Sequence, residues 1–399
     1  MKIVYLHQHF RTPEMGGGTR SYEFAKQWVI KGHDVHIITS RIGAAKIPST
    51  VVDGIKVHYI SSRYDNSFGF RKRIFSFIKF AVLSAFKASR LNPDAIYATS
   101  TPLTICLPAI YCKIIRRVNY VFEVRDLWPD VPIAMGVLRS KSLIRVAQIL
   151  EKAAYRFSSH IITISPTMRE NVIEKGIPEN KVTCITQGCD NSIFNQQENF
   201  DTSWLPKELK DKKIIVYAGA ISTANDLKYL VDLALESKNF QSDIRFVIFG
   251  EGLHLSFLRD YATKLNVLNE FIYFYGHVSK FEVSKWMSVS TFTVATFGGP
   301  SALWIHGAQN KFFDSISAGK PIATNYLGWQ TRFSIEENIG IYIDPSNVTV
   351  ALAQLTQTIN DQKWMTNAGE NCRYLANNSL NRKLLAEQCL EILNAFEKR

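Results

Sequence analysis

The chain has no run of the roughly 20 apolar residues that a membrane-spanning helix needs. Its start, MKIVYLHQHF, meets polar residues too early for a secretory signal. Both absences lead to the expectation of a cytoplasmic protein. Cysteine is scarce and unpatterned: Cys106, Cys112, Cys184, Cys189, Cys372 and Cys389 show no CxxC spacing. That speaks for reduced, buried thiols and against a disulfide framework or a thiolate metal site, so no metal is expected. No low-complexity segment argues for disorder. Acidic side chains are missing from the whole interval between Asp65 and Asp94, and overall 47 Lys and Arg face 35 Asp and Glu, a net charge of +12. Such an excess admits nucleic acid, an anionic membrane surface or phosphorylated substrates as partners. No helix-turn-helix, RNP or zinc pattern supports nucleic acid.

What is present is an ordinary globular composition, 46% hydrophobic over 399 residues, long enough for two domains with separate cores. The acid-free interval contains FGFRKRIFSFIKFAVLSAFKASR, with Arg71, Lys72, Arg73, Lys79, Lys87 and Arg90 among large apolar side chains. On a helix, Lys72, Lys79, Lys87 and Arg90 share one side, while Ile74, Phe77, Ile78, Ala81 and Ala85 line another. Two readings stay open: a helix lying on an anionic bilayer, or a domain helix with an apolar inner face and a solvated basic one. KIIRR (113–117) and LRSKSLIRVAQILEKAAYR (138–156) add further basic residues to this half.

Short apolar runs alternate with amphipathic segments, the signature of a parallel sheet wrapped by helices. Strands are predicted at 2–6, 34–39, 94–98, 120–124, 160–164 and 182–185. One helix start is explicit, Ser165 as cap and Pro166 at the first position, running to Gly176. The alternation breaks in the polar stretch QGCDNSIFNQQENFDTSWLPKELKDKK and then resumes with KIIVYAGAIS, IRFVIFGEG, FIYFYGHVS, TFTVAT and KPIATN. The expected organisation is therefore a domain over 1–195, a second over 196–380 and a terminal helix over 381–399 that packs toward the first domain. In such α/β sheets ligands bind beyond the strand carboxyl ends. At one such end, after KIVYLHQ, stand Gly16, Gly17 and Gly18, followed by Arg20. The triplet reads either as a flexible tip or as a loop that lets backbone N–H groups approach a phosphate. It has neither GxGxxG spacing nor a GK[ST] ending, which argues against a nicotinamide site or a P-loop.

The ordered set of the glycine loop, EVRDLWPD (123–130), SPTMRENVIEKGIPENKVTCITQGCDNSIF (165–194), YAGAIS, FGEG, YGHV and NKFFDSISAGKPIATN (310–325) resembles the retaining nucleotide-sugar glycosyltransferases of the GT-B type. In those, two Rossmann-like domains place the active site in the cleft between them. Within that group EVRDLWPD beside NKFFD resembles the family 4 type, in particular bacterial L-fucosamine transferases of O-antigen and capsule assembly. The resemblance implies an enzyme on the inner face of the cell membrane that moves an N-acetylated deoxyhexosamine from a UDP-sugar to a polyprenyl-diphosphate-linked glycan, without a metal or other cofactor.

It also implies roles. Gly16, Gly17 and Gly18 would cover the donor phosphates, and Glu123, Arg125 and Asp126 would face the site, Asp126 orienting the acceptor hydroxyl or the sugar. Asp126 reads equally as a helix cap or a partner of Arg125. Gly276, His277 and Val278 would meet the uracil, and Gly219, Asn310 and Lys311 the diphosphate, although Lys311 could be a plain surface lysine. The family's acidic pair falls on His306 and Asp314, the latter toward the ribose. The Arg and Lys that many members place after the YAGAIS-type turn are here Ala220 and Asn225, so Lys311, Lys228 or Arg332 is expected to substitute. Arg71, Lys72, Arg73 and Lys79 would face membrane and acceptor. Rival readings are an epimerase on the same fold and a non-catalytic nucleotide-sugar-binding protein.

Overall fold

A computed structural model describes residues 1–15, 17–41, 49–63, 68–194 and 202–396. It divides into two α/β units, the first Met1–Thr12, Gly18–Thr186 and Arg382–Arg399, the second Pro13–Gly17 and Gln187–Asn381. The chain thus leaves unit 1 at Thr186, ahead of the predicted break at 195; residues 195–201 lie outside the described residues.

Among the described residues, unit 1 holds eight strands: β1 (Lys2–Leu6), β2 (Asp34–Arg41), β3 (Thr50–Val52), β4 (Ile55–Arg63), β5 (Ala95–Thr99), β6 (Asn119–Val124), β7 (His160–Thr163) and β8 (Val182–Cys184). Their order is β3-β4-β2-β1-β5-β6-β7-β8, and every pairing is parallel except β3 with β4. Continuous apolar strands such as Ile3–Leu6 are buried on both faces, as a helix-covered parallel sheet requires. The order reverses between β1 and β5, so the crevice at their carboxyl ends is where the fold offers a ligand site.

Trp28, on the Arg20–Ile30 helix, is fully buried and donates its Nε1–H to the carbonyl of Ala386 at 2.9 Å, which holds the Arg382–Ala395 helix in this unit. Ser165 caps the Pro166–Glu174 helix by accepting from Met168 N at 3.1 Å, and Gly176 follows its end at φ +87°.

The long helix spans Phe70–Leu91, but its inner face differs from the predicted one. Ser76, Phe80, Ala81, Ser84 and Ala88 are buried, while Phe75, Ile78, Val82 and Phe86 are about half or more exposed. The small residues lie inward because they let the helix approach its neighbours, and Ser84 satisfies its hydroxyl by donating to Phe80 O at 2.6 Å.

Unit 2 contains β9 (Lys213–Ala218), β10 (Ile244–Phe249), β11 (Ile272–Gly276), β12 (Phe292–Ala295), β13 (Ile322–Thr324) and β14 (Gly340–Tyr342) in the all-parallel order β11-β10-β9-β12-β13-β14. Its order reverses between β9 and β12, again opening a crevice at the strand carboxyl ends. The glycines of FGEG serve close backbone packing: a Cβ on Gly250 would stand 1.8 Å from Gly219 O, and one on Gly252 1.9 Å from Ile221 O. No helix among the described residues is long and apolar enough to cross a membrane.

Candidate functional site

In unit 1 the groups at the carboxyl ends of β1, β5 and β6 form one polar cluster. Gly16 lies outside the described residues; Gly17, which belongs to unit 2, takes φ +88°, a value open to glycine, and Gly18 resumes unit 1 and leads into the Arg20–Ile30 helix. Arg20, directly behind the loop, is fully buried, and it is spent internally. Its Nε donates to Glu123 Oε1 at 2.8 Å, its two terminal nitrogens donate to the carbonyls of Ile185 and Thr186, and its guanidinium lies 4.1 Å from the centre of the Phe24 ring.

Glu123 is fully buried inside β6 and receives Tyr97 OH at 2.8 Å and Thr99 Oγ1 as well. Burial pushes its carboxyl up, but Arg20, Arg125 and the Thr99 hydroxyl bring it below the usual range, so it stays ionised. This corrects the expectation that Glu123 faces the site: with its oxygens enclosed, it positions Arg20 and the β6 end.

Asp126 is the carboxylate that does reach solvent. It accepts Thr101 Oγ1 at 2.6 Å, and the protein crowded around it lifts its pKa, with the Thr101 bond and Arg125 opposing. Arg125 donates its backbone N–H to Ser100 Oγ at 3.0 Å; burial, with Arg11 and then Arg125 adding to it, pushes His9 down to about 4, so His9 is neutral near pH 7. Of the basic residues on the Phe70–Leu91 helix, Lys72 and Lys79 are exposed, and Arg73 is half-buried with its Nε donating to Phe68 O at 2.7 Å. The side chain of Arg71 lies outside the described residues.

In unit 2 the crevice beyond β9 is built around a lysine. Lys311, in the first turn of the Asn310–Ser317 helix, is only 8% exposed. It is therefore no surface lysine. Its chain crosses Gly219 so closely that a Cβ there would meet Lys311 Cε at 2.8 Å. Its ammonium lies 4.6 Å from the centre of the Tyr217 ring and donates to Asn225 Oδ1 at 3.2 Å. Burial drives its pKa down to about 7, Asp314 working the other way. Lys228, by contrast, is exposed and paired with Asp232 at 2.7 Å, and Arg332 is exposed.

Asp314, three residues on, is buried and holds Lys280 Nζ at 3.0 Å. His306 ends the short Ser301–His306 helix, half-buried. Gly276 takes φ +75° with no atom near the position of a Cβ, next to exposed His277 and half-buried Val278. Asn310 opens its helix after Gln309, whose amide donates to Thr296 O at 2.8 Å and Asn225 Oδ1 at 3.3 Å. The arrangement offers an anion a buried ammonium, a glycine backbone and a helix start.

Residues 15–192 match the family described as Glycosyltransferase Family 4, and residues 201–375 match Glycosyl transferases group 1. The chain is a GT-B glycosyltransferase. Among curated proteins, this glycosyltransferase is similar to WcaI of Escherichia coli (strain K12), assigned as a colanic acid biosynthesis glycosyl transferase, with 24% identity over 63% of this chain; the alignment spans 66% of that relative. Among solved structures it is similar to sucrose-phosphate synthase from Thermosynechococcus elongatus, with TM-score 0.78, 14% identity and coverage of 99% and 98% of the two chains. It is also similar to Anabaena Alr3699/HepE in complex with UDP and glucose, with TM-score 0.73, 16% identity and coverage of 99% and 100%.

Sequence reasoning missed three members of the glycosyltransferase's polar clusters. Lys280 gave no signal beyond a capped helix start, because its partner Asp314 is 34 residues away. Gln309 directly precedes NKFFD and Thr101 stands just after the 94–98 strand, and both are ordinary loop residues until the fold sets them beside Asn225 and Asp126.

Proposed function

We propose that this glycosyltransferase moves an N-acetylated deoxyhexosamine, of the N-acetyl-L-fucosamine kind, with retention of anomeric configuration. The donor is a UDP-sugar and the acceptor a polyprenyl-diphosphate-linked glycan of O-antigen or capsule assembly, met at the inner face of the cell membrane. The observation that carries the donor half is Lys311 lying across Gly219 at the strand-order reversal of unit 2. A buried ammonium above bare backbone suits a diphosphate and supplies positive charge to the departing oxygen without a metal. Asn225, where many members carry a cation, then acts by holding Lys311.

In this reading Asn310 N–H joins Lys311 at the diphosphate, Gly276, His277 and Val278 meet the uracil, and His306 donates to the sugar. Asp314 takes the ribose edge and fixes Lys280. Asp126 orients the acceptor hydroxyl from unit 1. The exposed apolar and basic faces of the Phe70–Leu91 helix support a membrane-borne acceptor. The relative assigned to colanic acid biosynthesis and the UDP complex among the similar structures support an envelope glycan and a UDP donor.

The test is a thermal-shift panel of UDP-sugars followed by transfer to diphosphate-linked glycolipid and NMR of the product linkage. A rise in Tm with UDP-N-acetyl-L-fucosamine above that with UDP-glucose, and an unchanged anomeric configuration, are expected. No response to any UDP-sugar, or inversion, overturns the reading.

A further inference from the structure

Unit 1 contains a cavity of about 1260 Å³, larger than the roughly 300–1,000 Å³ of most small-ligand pockets. Its lining has two chemistries. Ile74 and Phe77 of the Phe70–Leu91 helix, Leu107, Leu138 and Leu150 give it hydrocarbon walls. From the strand carboxyl ends come Gln8, Ser40 and Asp126, and Arg11 and Arg73 also border it.

Gln8 is 1% exposed, and neither its amide oxygen nor its amide nitrogen has a hydrogen-bond partner among the described residues; the same holds for the hydroxyl of Ser40, 4% exposed. Buried polar groups are nearly always paired; these two lie in cavity-lining residues with their polar atoms covered, so they make this end of the cavity polar without offering a ligand an open contact. Among the described lining residues the guanidinium groups of Arg11 and Arg73 stand against one carboxylate, Asp126, and this balance of charge favours an anion. The hydrocarbon walls do not close: Ile149 lines the cavity and is 68% exposed, and Phe75 and Val82, 69% and 50% exposed, lie on the helix that also supplies Ile74 and Phe77. A ligand that matches is an amphiphile, its anionic head near Arg11 and Arg73 and its hydrocarbon chain running outward.

We infer that this cavity receives the isoprenoid chain of the acceptor, the units nearest the diphosphate lying between the Phe70–Leu91 and Lys141–Phe157 helices. The inference rests on the lipid-linked acceptor proposed above and adds that the enzyme binds part of the lipid itself, rather than only the glycan that projects from the membrane.

The test uses the full chain and farnesyl diphosphate as ligand, followed by the fluorescence of Trp128, which lines the cavity. Binding should saturate, with geranyl diphosphate at least about tenfold weaker and inorganic diphosphate weaker again, because each isoprenoid unit removes apolar surface from water. Ala147→Trp, which fills the wall, should weaken farnesyl diphosphate at least tenfold while leaving the UDP-induced Tm rise and vesicle sedimentation unchanged. The chain-length series needs no variant and so stands even if Ala147→Trp misfolds. Equal affinity for farnesyl and inorganic diphosphate overturns the inference, as does undiminished binding by Ala147→Trp or a parallel loss of vesicle binding. Transfer to diphosphate-linked acceptors that ignores chain length removes the cavity but leaves the proposed function. Farnesyl diphosphate binding without transfer to any such acceptor does the reverse.

Discussion

Lys311 carries its ammonium inside the protein with Asn225 as its hydrogen-bond acceptor, and its pKa of about 7 makes it a titrating group in the working range. If a diphosphate binds beside it, the added negative charge favours the protonated form. UDP binding at pH 8 should therefore take up a proton, and affinity should fall as pH rises above about 7. Calorimetry in buffers of different ionisation enthalpy reads the uptake; Lys311→Met should abolish it and weaken UDP by about 1.5 to 3 kcal/mol, the range of a charged hydrogen bond. The Arg20 and Glu123 pair obeys the opposite sign. Glu123 is held below its ordinary range, so its stabilisation is present above the unfolded carboxyl's pKa and is lost as pH falls through the folded value. Glu123→Gln strands a buried guanidinium and should cost about 3 to 5 kcal/mol in urea unfolding, with a flatter acid limb. A loss below about 1 kcal/mol would mean that water reaches Arg20. Neither partnership was legible in the sequence, where Arg20 and Glu123 are 103 residues apart and Lys311 and Asn225 are 86 apart. What the sequence did carry was the glycine at 219, conspicuous after an apolar strand.

Strands buried on both faces announce themselves as apolar runs, which is why β1, β5, β6, β9 and β10 could be read directly. β4 could not: IKVHYISSR alternates polar and apolar residues, and β14 is three residues long. The Phe70–Leu91 helix lies where the pattern puts it, but its inner face differs, because Ser76 and Ser84 count as polar until the Ser62 hydroxyl beside Ser76 Oγ and the Phe80 carbonyl that accepts from Ser84 Oγ are seen. That leaves bulky apolar groups outside. Phe75→Ser with Phe86→Ser should change unfolding stability by no more than about 1 kcal/mol, since neither ring is buried. The same pair should reduce sedimentation with anionic vesicles several-fold, through lost insertion of two rings. A large fall in stability without a change in sedimentation would make these rings packing residues. Gly252→Ala supplies the contrasting case within unit 2: its Cβ would meet Ile221 O at 1.9 Å, so the turn after β9 must shift and UDP affinity should drop even where the protein stays folded.

Both units repeat one plan, a parallel sheet whose strand order reverses at its middle, with the antiparallel β3 added at the edge of unit 1, and this doubling was legible because the alternation stops and restarts along the chain. Where the chain passes from one to the other was legible as a stretch and not as a residue: the crossing falls between Thr186 and Gln187, where the polar stretch begins, ahead of the expected break at 195. Among the described residues no group of three or more His, Cys, Asp or Glu is arranged to hold a metal ion. Transfer is expected to persist in excess chelator, with Lys311 serving the diphosphate; full loss restored by Mg²⁺ would reassign that task. The Arg382–Ala395 helix has a different kind of consequence, one of timing. Its partners around Trp28 leave the ribosome first, and the helix itself follows some 200 residues after unit 1 has otherwise been made. At about 5–20 residues per second, the otherwise finished unit 1 waits on the order of 10 to 40 s for this cover over Trp28. Unit 2, nearly continuous in the chain, can close during that delay. A nascent chain stalled before Arg382 should therefore display a folded, protease-resistant unit 2 beside an N-terminal half that chaperones still hold.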